Sequence, residues 1–206
     1  MHIELTEMLR CPEPHADAVL VLSTGEMSGR MVRSGIVGCP VCRREYPVVN
    51  GVVDFSGRGV RGAVSAAPPG TAPRAPLPVD PQTLQALLDL SGPGGFVVLV
   101  GSAVRHAVGL AGLMAGIHFV GVDPPPRAEE LPVLSLLQCG RTIPLRQAMA
   151  RGVVIGGEAA RAPWLDEGVR VLLRGRRLVL EEAAGAPPAG VTRLASGEGL
   201  WVGEKR

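Results

Sequence analysis

Aromatic side chains are scarce in this chain: they make up 3% of its 206 residues, as three phenylalanines, two tryptophans and one tyrosine. Its core must therefore be assembled from aliphatic residues such as Val, Leu and Ala. Charge of one sign is lacking too. The net charge is +2, short of the basic footprint that nucleic acid selects, so a nucleic-acid partner is not expected. The opening MHIELTEMLRC has no basic start followed by an apolar run, so no export signal is expected. No stretch approaches the roughly 18 uninterrupted apolar residues of a membrane span. These absences lead us to expect a cytoplasmic protein with no membrane partner. In that reducing compartment its four cysteines should bind metal or stay free rather than pair as disulfides. What the chain has in quantity is Gly and Pro, 28 and 19 residues, with no G-X-Y period.

The sequence divides into three regions. Residues 1–56 hold three of the four cysteines and most of the turn chemistry. Residues 57–79, GRGVRGAVSAAPPGTAPRAPLPV, have no apolar periodicity and repeated prolines, so they read as a linker. Fully extended at the polyproline rise, such a linker would reach about 70 Å; the same composition is equally compatible with a segment lying along a domain surface. Residues 80–206 alternate strand and helix patterns. Asp80 caps a helix with Pro81 at its first position and a stripe of Leu84, Leu87 and Leu88. Strands are expected at 96–100, 117–122, 133–137, 153–155 and 177–180, and helices near 104–115, 144–150 and 163–173. This alternation predicts an α/β fold with a parallel sheet covered on both faces. The tail, VTRLASGEGLWVGEK, predicts an antiparallel hairpin turning at 196–199.

Chemistry is concentrated in the first region. Cys39-Pro40-Val41-Cys42 is a C-x-x-C pair on a turn, and Cys11-Pro12-Glu13-Pro14-His15 lies upstream. Together Cys11, His15, Cys39 and Cys42 give three sulfurs and one imidazole, a set suited to tetrahedral structural zinc. A segment of this size has too little core to be stable easily alone, and metal binding supplies the missing folding free energy. The bland alternative makes Cys11 a buried apolar residue and His15 a surface side chain. A thioredoxin-like role for the C-x-x-C pair lacks the βαβ surroundings it needs. Cys139, alone in the last region, reads as a small core or loop residue.

Leu9-Arg10-Cys11-Pro12, Cys39-Pro40-Val41-Cys42 and Tyr46-Pro47-Val48-Val49-Asn50-Gly51-Val52 together resemble the small zinc-ribbon family that activates tRNA, rRNA and protein methyltransferases. The sequence departs from that family at Pro14, where its usual cysteine is missing. The resemblance implies a protein partner: a methyltransferase, or this chain's own second domain, bound by addition of the ribbon to a sheet edge.

From Phe96 onward, VVLVGSAVRHAVGLA, FVGVDPPP and LDEGVRVLLRGRRLVLEE resemble class I S-adenosylmethionine-dependent methyltransferases, here in a reduced Rossmann-like form. The resemblance implies cofactor contacts at Gly101 in the loop after the first strand and at Asp123 after the second. In the family that first strand ends in a carboxylate and a glycine-rich loop follows. Here the carboxylate position holds Leu99, and the loop Gly101-Ser102-Ala103-Val104 is one residue short with a single glycine, so S-adenosylmethionine is doubtful. Asp123 has a second reading as the cap of a turn before three prolines. Glu158 reads as an acid or base at the sheet's carboxyl edge, or as a helix-start cap. His106 shows no partner. Trp164, Leu165, Val169 and Leu172 read as a core-facing helix stripe. Arg170, Arg174, Arg176 and Arg177 read as a solvated helix end or a phosphate contact. The expected function is a non-catalytic or catalytically reduced methyltransferase-like scaffold with no catalytic residue. The alternative is an active methyltransferase using Asp123 and an unusual cofactor loop.

Overall fold

The computed structural model describes residues 1–58, 79–126, 128–181 and 187–206. Most of the expected linker, residues 59–78, lies outside the described residues. The chain opens with a 3-10 segment, Ile3–Met8, followed by β1 (Val21–Thr24), β2 (Met27–Ser28), β3 (Met31–Val32), β4 (Gly35–Gly38), β5 (Glu45–Val49) and β6 (Val52–Asp54). Asn50 and Gly51 join β5 to β6 with φ of 50° and 80°. Two successive positive φ values are what a tight hairpin needs and what Asn-Gly supplies.

The remainder comprises α1 (Pro81–Leu88), β7 (Phe96–Val100), α2 (Ala107–Leu113), β8 (His118–Val122), β9 (Leu134–Gln138), β10 (Ala150–Ile155), α3 (Trp164–Val171), β11 (Leu172–Leu180), β12 (Val191–Gly197) and β13 (Leu200–Lys205). Asp80 caps α1 by accepting from the Thr83 amide at 2.9 Å. Residues 101–106 form 3-10 turns that lead into α2. Glu198 and Gly199, with φ of 50° and 79°, turn the terminal hairpin.

Eleven strands form one sheet in the order β1-β4-β5-β6-β9-β8-β7-β10-β11-β13-β12. The pairings from β6 through β11 are parallel, while the pairings on either side are antiparallel. Counted from β7, strands β9-β8-β7-β10-β11 run 3-2-1-4-5, the doubly wound order. The fold class is thus the mixed α/β class expected, with a mostly parallel central sheet and an antiparallel C-terminal hairpin. Val97 and Leu99 face α1 and α2, whereas Phe96, Val98 and Val100 face α3 and the N-terminal segment. Burial on both faces explains why β7 is an unbroken apolar run.

The N-terminal strands add to this sheet along β9. Val52, Val53 and Asp54 pair in parallel with Leu136, Leu137 and Gln138. Met1, Leu5 and Leu9 are fully buried in the same apolar cluster as Val98, Ile155 and Trp201. Each such side chain contributes about 1.5–3 kcal/mol by leaving water, so the two parts share a substantial core.

Three local expectations are corrected. No helix forms at 144–150. Leu145 bridges to Leu9 instead, Arg10 donates its amide to the Pro144 carbonyl, and Arg146 donates to that of Met8. These backbone groups are satisfied by the N-terminal segment rather than by a helical turn. The helix expected over 163–173 ends at Val171, because β11 begins at Leu172 and runs nine residues. The helix expected over 104–115 is α-helical only from Ala107 to Leu113.

Candidate metal centre and the carboxyl edge of the sheet

The turn between β4 and β5 carries Cys39 and Cys42. Cys39 donates its amide to the Arg44 carbonyl, and Arg43 closes the turn in the left-handed region, φ 59°. Opposite, Cys11 and Ala18 are linked by a backbone hydrogen bond, which closes the loop that carries His15. The structure brings Cys11, His15, Cys39 and Cys42 together, with one potential ligand atom from each lying within 4.8 Å of all the others. Cys11 Sγ is 3.7 Å from Cys42 Sγ, and Cys39 Sγ is 3.5 Å from His15 Nε2. The first separation is far too long for a disulfide, about 2.05 Å. Tetrahedral zinc with its usual bond lengths would separate two sulfurs by about 3.8 Å and a sulfur from a nitrogen by about 3.6 Å. The donor set therefore fits such an ion. His15 also shows the outer hydrogen bond typical of a ligating imidazole: its Nδ1 is 2.6 Å from the Ala16 carbonyl, leaving Nε2 to face the sulfurs. Burial opposes ionisation of Cys39, but the amides of Cys42 and Val41 outweigh it and lower its pKa to about 7. Cys11, which contacts the Tyr46 hydroxyl at 3.3 Å, is raised by burial to about 11. Pro14 occupies the place of a second C-x-x-C cysteine, and His15, one residue on, faces the cluster instead.

Open α/β sheets bind ligands where the strand order reverses, here between the carboxyl ends of β7 and β10. Gly101 turns there with φ 63°. Glu158, in the loop after β10, reaches across: Ser102 donates its amide to Oε1 at 2.5 Å and its hydroxyl to Oε2 at 2.6 Å. The contact is tight enough that a Cβ at Gly101 would collide with Glu158 Oε1, and one at Gly156 with Ser102 Oγ. A second carboxylate reaches the same 3-10 segment from the residue after β11. Glu181 lies 2.8 Å from Arg105 Nη2 and 2.5 Å from His106 Nε2, with His106 and Glu181 both buried. His106 thus has a partner that its sequence context hid. Ser102 and Glu181 were missed as well; for Glu181 the carboxylate that ends the apolar run Leu178-Val179-Leu180 was the available signal.

Asp123 follows β8 with φ 47° and accepts the Cys139 amide on Oδ1 at 2.6 Å, tying the ends of β8 and β9 together. Burial raises its pKa to about 6, against the opposing effects of that amide and of Arg58. Between the loop after β8 and the start of α2 lies a cavity of about 120 Å³ lined by Val104, Arg105, Val108, Pro125, Glu129 and Leu134. Pockets for drug-sized ligands run to roughly 300–1,000 Å³. The arginines expected as one cluster are divided: Arg170 binds Glu167 and the Ile143 and Leu145 carbonyls, and Arg177 binds Asp89. Trp164, Leu165 and Val169 pack on the core from α3, while Leu172 does so from β11. Cys139 is buried. No helix among the described residues is long and apolar enough to cross a membrane.

No protein-family model and no curated protein matches the sequence. Among solved structures, a complex between the Haloferax volcanii Trm112 methyltransferase activator and its putative methyltransferase aligns at 21% identity over 48% of this chain and 50% of that one, with a TM-score of 0.39. The antibiotic-resistance methyltransferase Kmr aligns at 16% identity over 64% of this chain and 95% of that one, TM-score 0.43. Geranyl diphosphate C-methyltransferase from Streptomyces coelicolor A3(2) aligns at 15% identity over 48% and 41%, TM-score 0.41. Apart from Kmr, the aligned portions span half or less of these relatives.

Proposed function

We propose that this chain is a methyltransferase-like scaffold that does not transfer methyl groups by itself and whose zinc ribbon acts in cis. Cys11, His15, Cys39 and Cys42 hold the zinc, which supplies folding free energy to a module with little core of its own. The ribbon's partner is the chain's own sheet: β6 covers the β9 edge in the manner that the activator resemblance implies for a separate methyltransferase. A strand edge left bare is an open template for association, so the ribbon both completes and protects the sheet.

The observation that carries the non-catalytic reading is the Glu158 carboxylate on the Ser102 amide and hydroxyl. A cofactor would need backbone access at that loop, and the carboxylate already takes its donors. Leu99 is an aliphatic residue, fully buried in the core, where the family places an acidic anchor. The residues at this edge do not suit S-adenosylmethionine. The competing reading, an active methyltransferase, rests on Asp123, whose carboxylate closes β8. Calorimetric titration of the purified chain with S-adenosylmethionine decides between them: absence of binding supports the scaffold, and micromolar binding supports the enzyme.

A further inference from the structure

A second group of potential metal ligands lies where the N-terminal segment meets the sheet. His2, Glu4 and His118 each offer a ligand atom, and the three atoms lie within 4.8 Å of one another. We propose that His2, Glu4 and His118 form a second divalent-metal site, distinct from the cysteine cluster, that pins the N-terminal segment to the amino end of β8. The donor set of two imidazoles and one carboxylate suits Zn²⁺, Co²⁺ or Ni²⁺ and leaves a coordination position for water.

Two observations beyond proximity point to a ligand. His2 Nδ1 and His118 Nδ1 are both buried and have no hydrogen-bond partner. The His2 residue is only 6% exposed, so water does not readily satisfy its ring. Buried imidazole nitrogens are normally paired, and a cation held by the two rings would give such a nitrogen a partner. Second, both rings are placed by backbone rather than left to wander. The His2 amide donates to Ser135 Oγ at 2.9 Å, and His2 bridges to Met31. His118 opens β8, donates its amide to the Gly95 carbonyl, and packs against Phe96 with ring centroids 5.6 Å apart. The two histidine rings are 4.5 Å apart and tilted by 57°.

Glu4 completes the set from the solvent side, with Oε2 at 3.9 Å from His2 Nδ1. Its other oxygen binds Arg30, whose side chain is 65% exposed. Arg30 can therefore swing outward when a cation enters.

The test uses the full chain without a polyhistidine tag and with its cysteine site already loaded with zinc, titrated with Co²⁺. The expected result is one further equivalent, seen as weak visible d–d absorption without thiolate charge-transfer bands. His118→Gln should abolish that uptake and leave the resident zinc in place. Glu4→Gln, at a side chain half exposed to solvent, cannot collapse the core and should weaken Co²⁺ binding at least tenfold. Absence of further uptake by the wild-type chain overturns the proposal, as does uptake that survives both substitutions. Because the two sites differ in thiolate absorption, failure here is distinguishable from failure of the cysteine site.

Discussion

Val53 in β6 lies opposite Leu137 in β9 in parallel register, and both side chains are fully buried. This pair joins the N-terminal strands to the parallel part of the sheet through main-chain hydrogen bonds and a common core. The stability of the N-terminal strands and that of the parallel strands are therefore linked.

Leu9→Ala removes a fully buried side chain from the cluster that contains both Val53 and Trp201. Core Leu→Ala changes cost about 2–5 kcal/mol. We expect that loss in denaturant titrations, with zinc release and tryptophan fluorescence changing together. Both tryptophans, Trp164 and Trp201, belong to the α/β part. Zinc release well ahead of an unshifted fluorescence transition would show the N-terminal strands to be energetically separate.

Replacing Cys39 and Cys42 together by Ser removes two of the four clustered donors. The zinc proposed for this cluster should be lost, and apolar-dye binding should rise as Met1, Leu5 and Leu9 leave the core. Elemental analysis that finds no zinc in a folded wild-type chain would contradict the metal assignment.

Asp123 gives a pH dependence of defined sign. Its folded pKa of about 6 lies above the ordinary 3.8, so the native state holds its proton more tightly than the unfolded chain. Ionisation of this group weakens the fold as pH rises from about 4 to 6, and its unfavourable contribution is complete above that. The rise from 3.8 to about 6 corresponds to about 3 kcal/mol, reduced to about 1–2 kcal/mol for a partly exposed group. Asp123→Asn keeps an acceptor for the Cys139 amide, so it should stabilise the chain by about that much at pH 7.5 and by much less near pH 4. Urea titrations at the two pH values measure the difference. A variant less stable than wild type at pH 7.5 would contradict the burial argument.

The strands of the parallel sheet were legible because residues buried on both faces leave apolar runs, as at 96–100 and 117–122. The Asn50-Gly51 hairpin and the Asp80 cap were legible because each depends on residues adjacent in sequence. The absence of a helix at 144–150 was not, since Leu9, far away in the chain, supplies the competing contacts. The four cysteine and histidine donors could be listed from spacing, whereas their convergence is a tertiary fact. The edge of the sheet was read least well. Glu158 and Ser102 meet only when two loops come together, and Glu181 finds His106 in the same way, so spacing along the chain carried no trace of either pair.

The carboxylate latch makes the central claim testable with one variant beside the wild type. Glu158→Ala frees the Ser102 amide and hydroxyl without touching Asp123 or the zinc donors. Calorimetric titration with S-adenosylmethionine should show no binding to the wild-type chain at ligand concentrations up to about 1 mM, a threshold equivalent to about 4 kcal/mol of binding free energy. Any affinity gained by Glu158→Ala should be weak, because Leu99 still provides no acidic anchor. Low-micromolar binding to the wild-type chain that is lost in Asp123→Ala would contradict the scaffold reading and make this domain an enzyme.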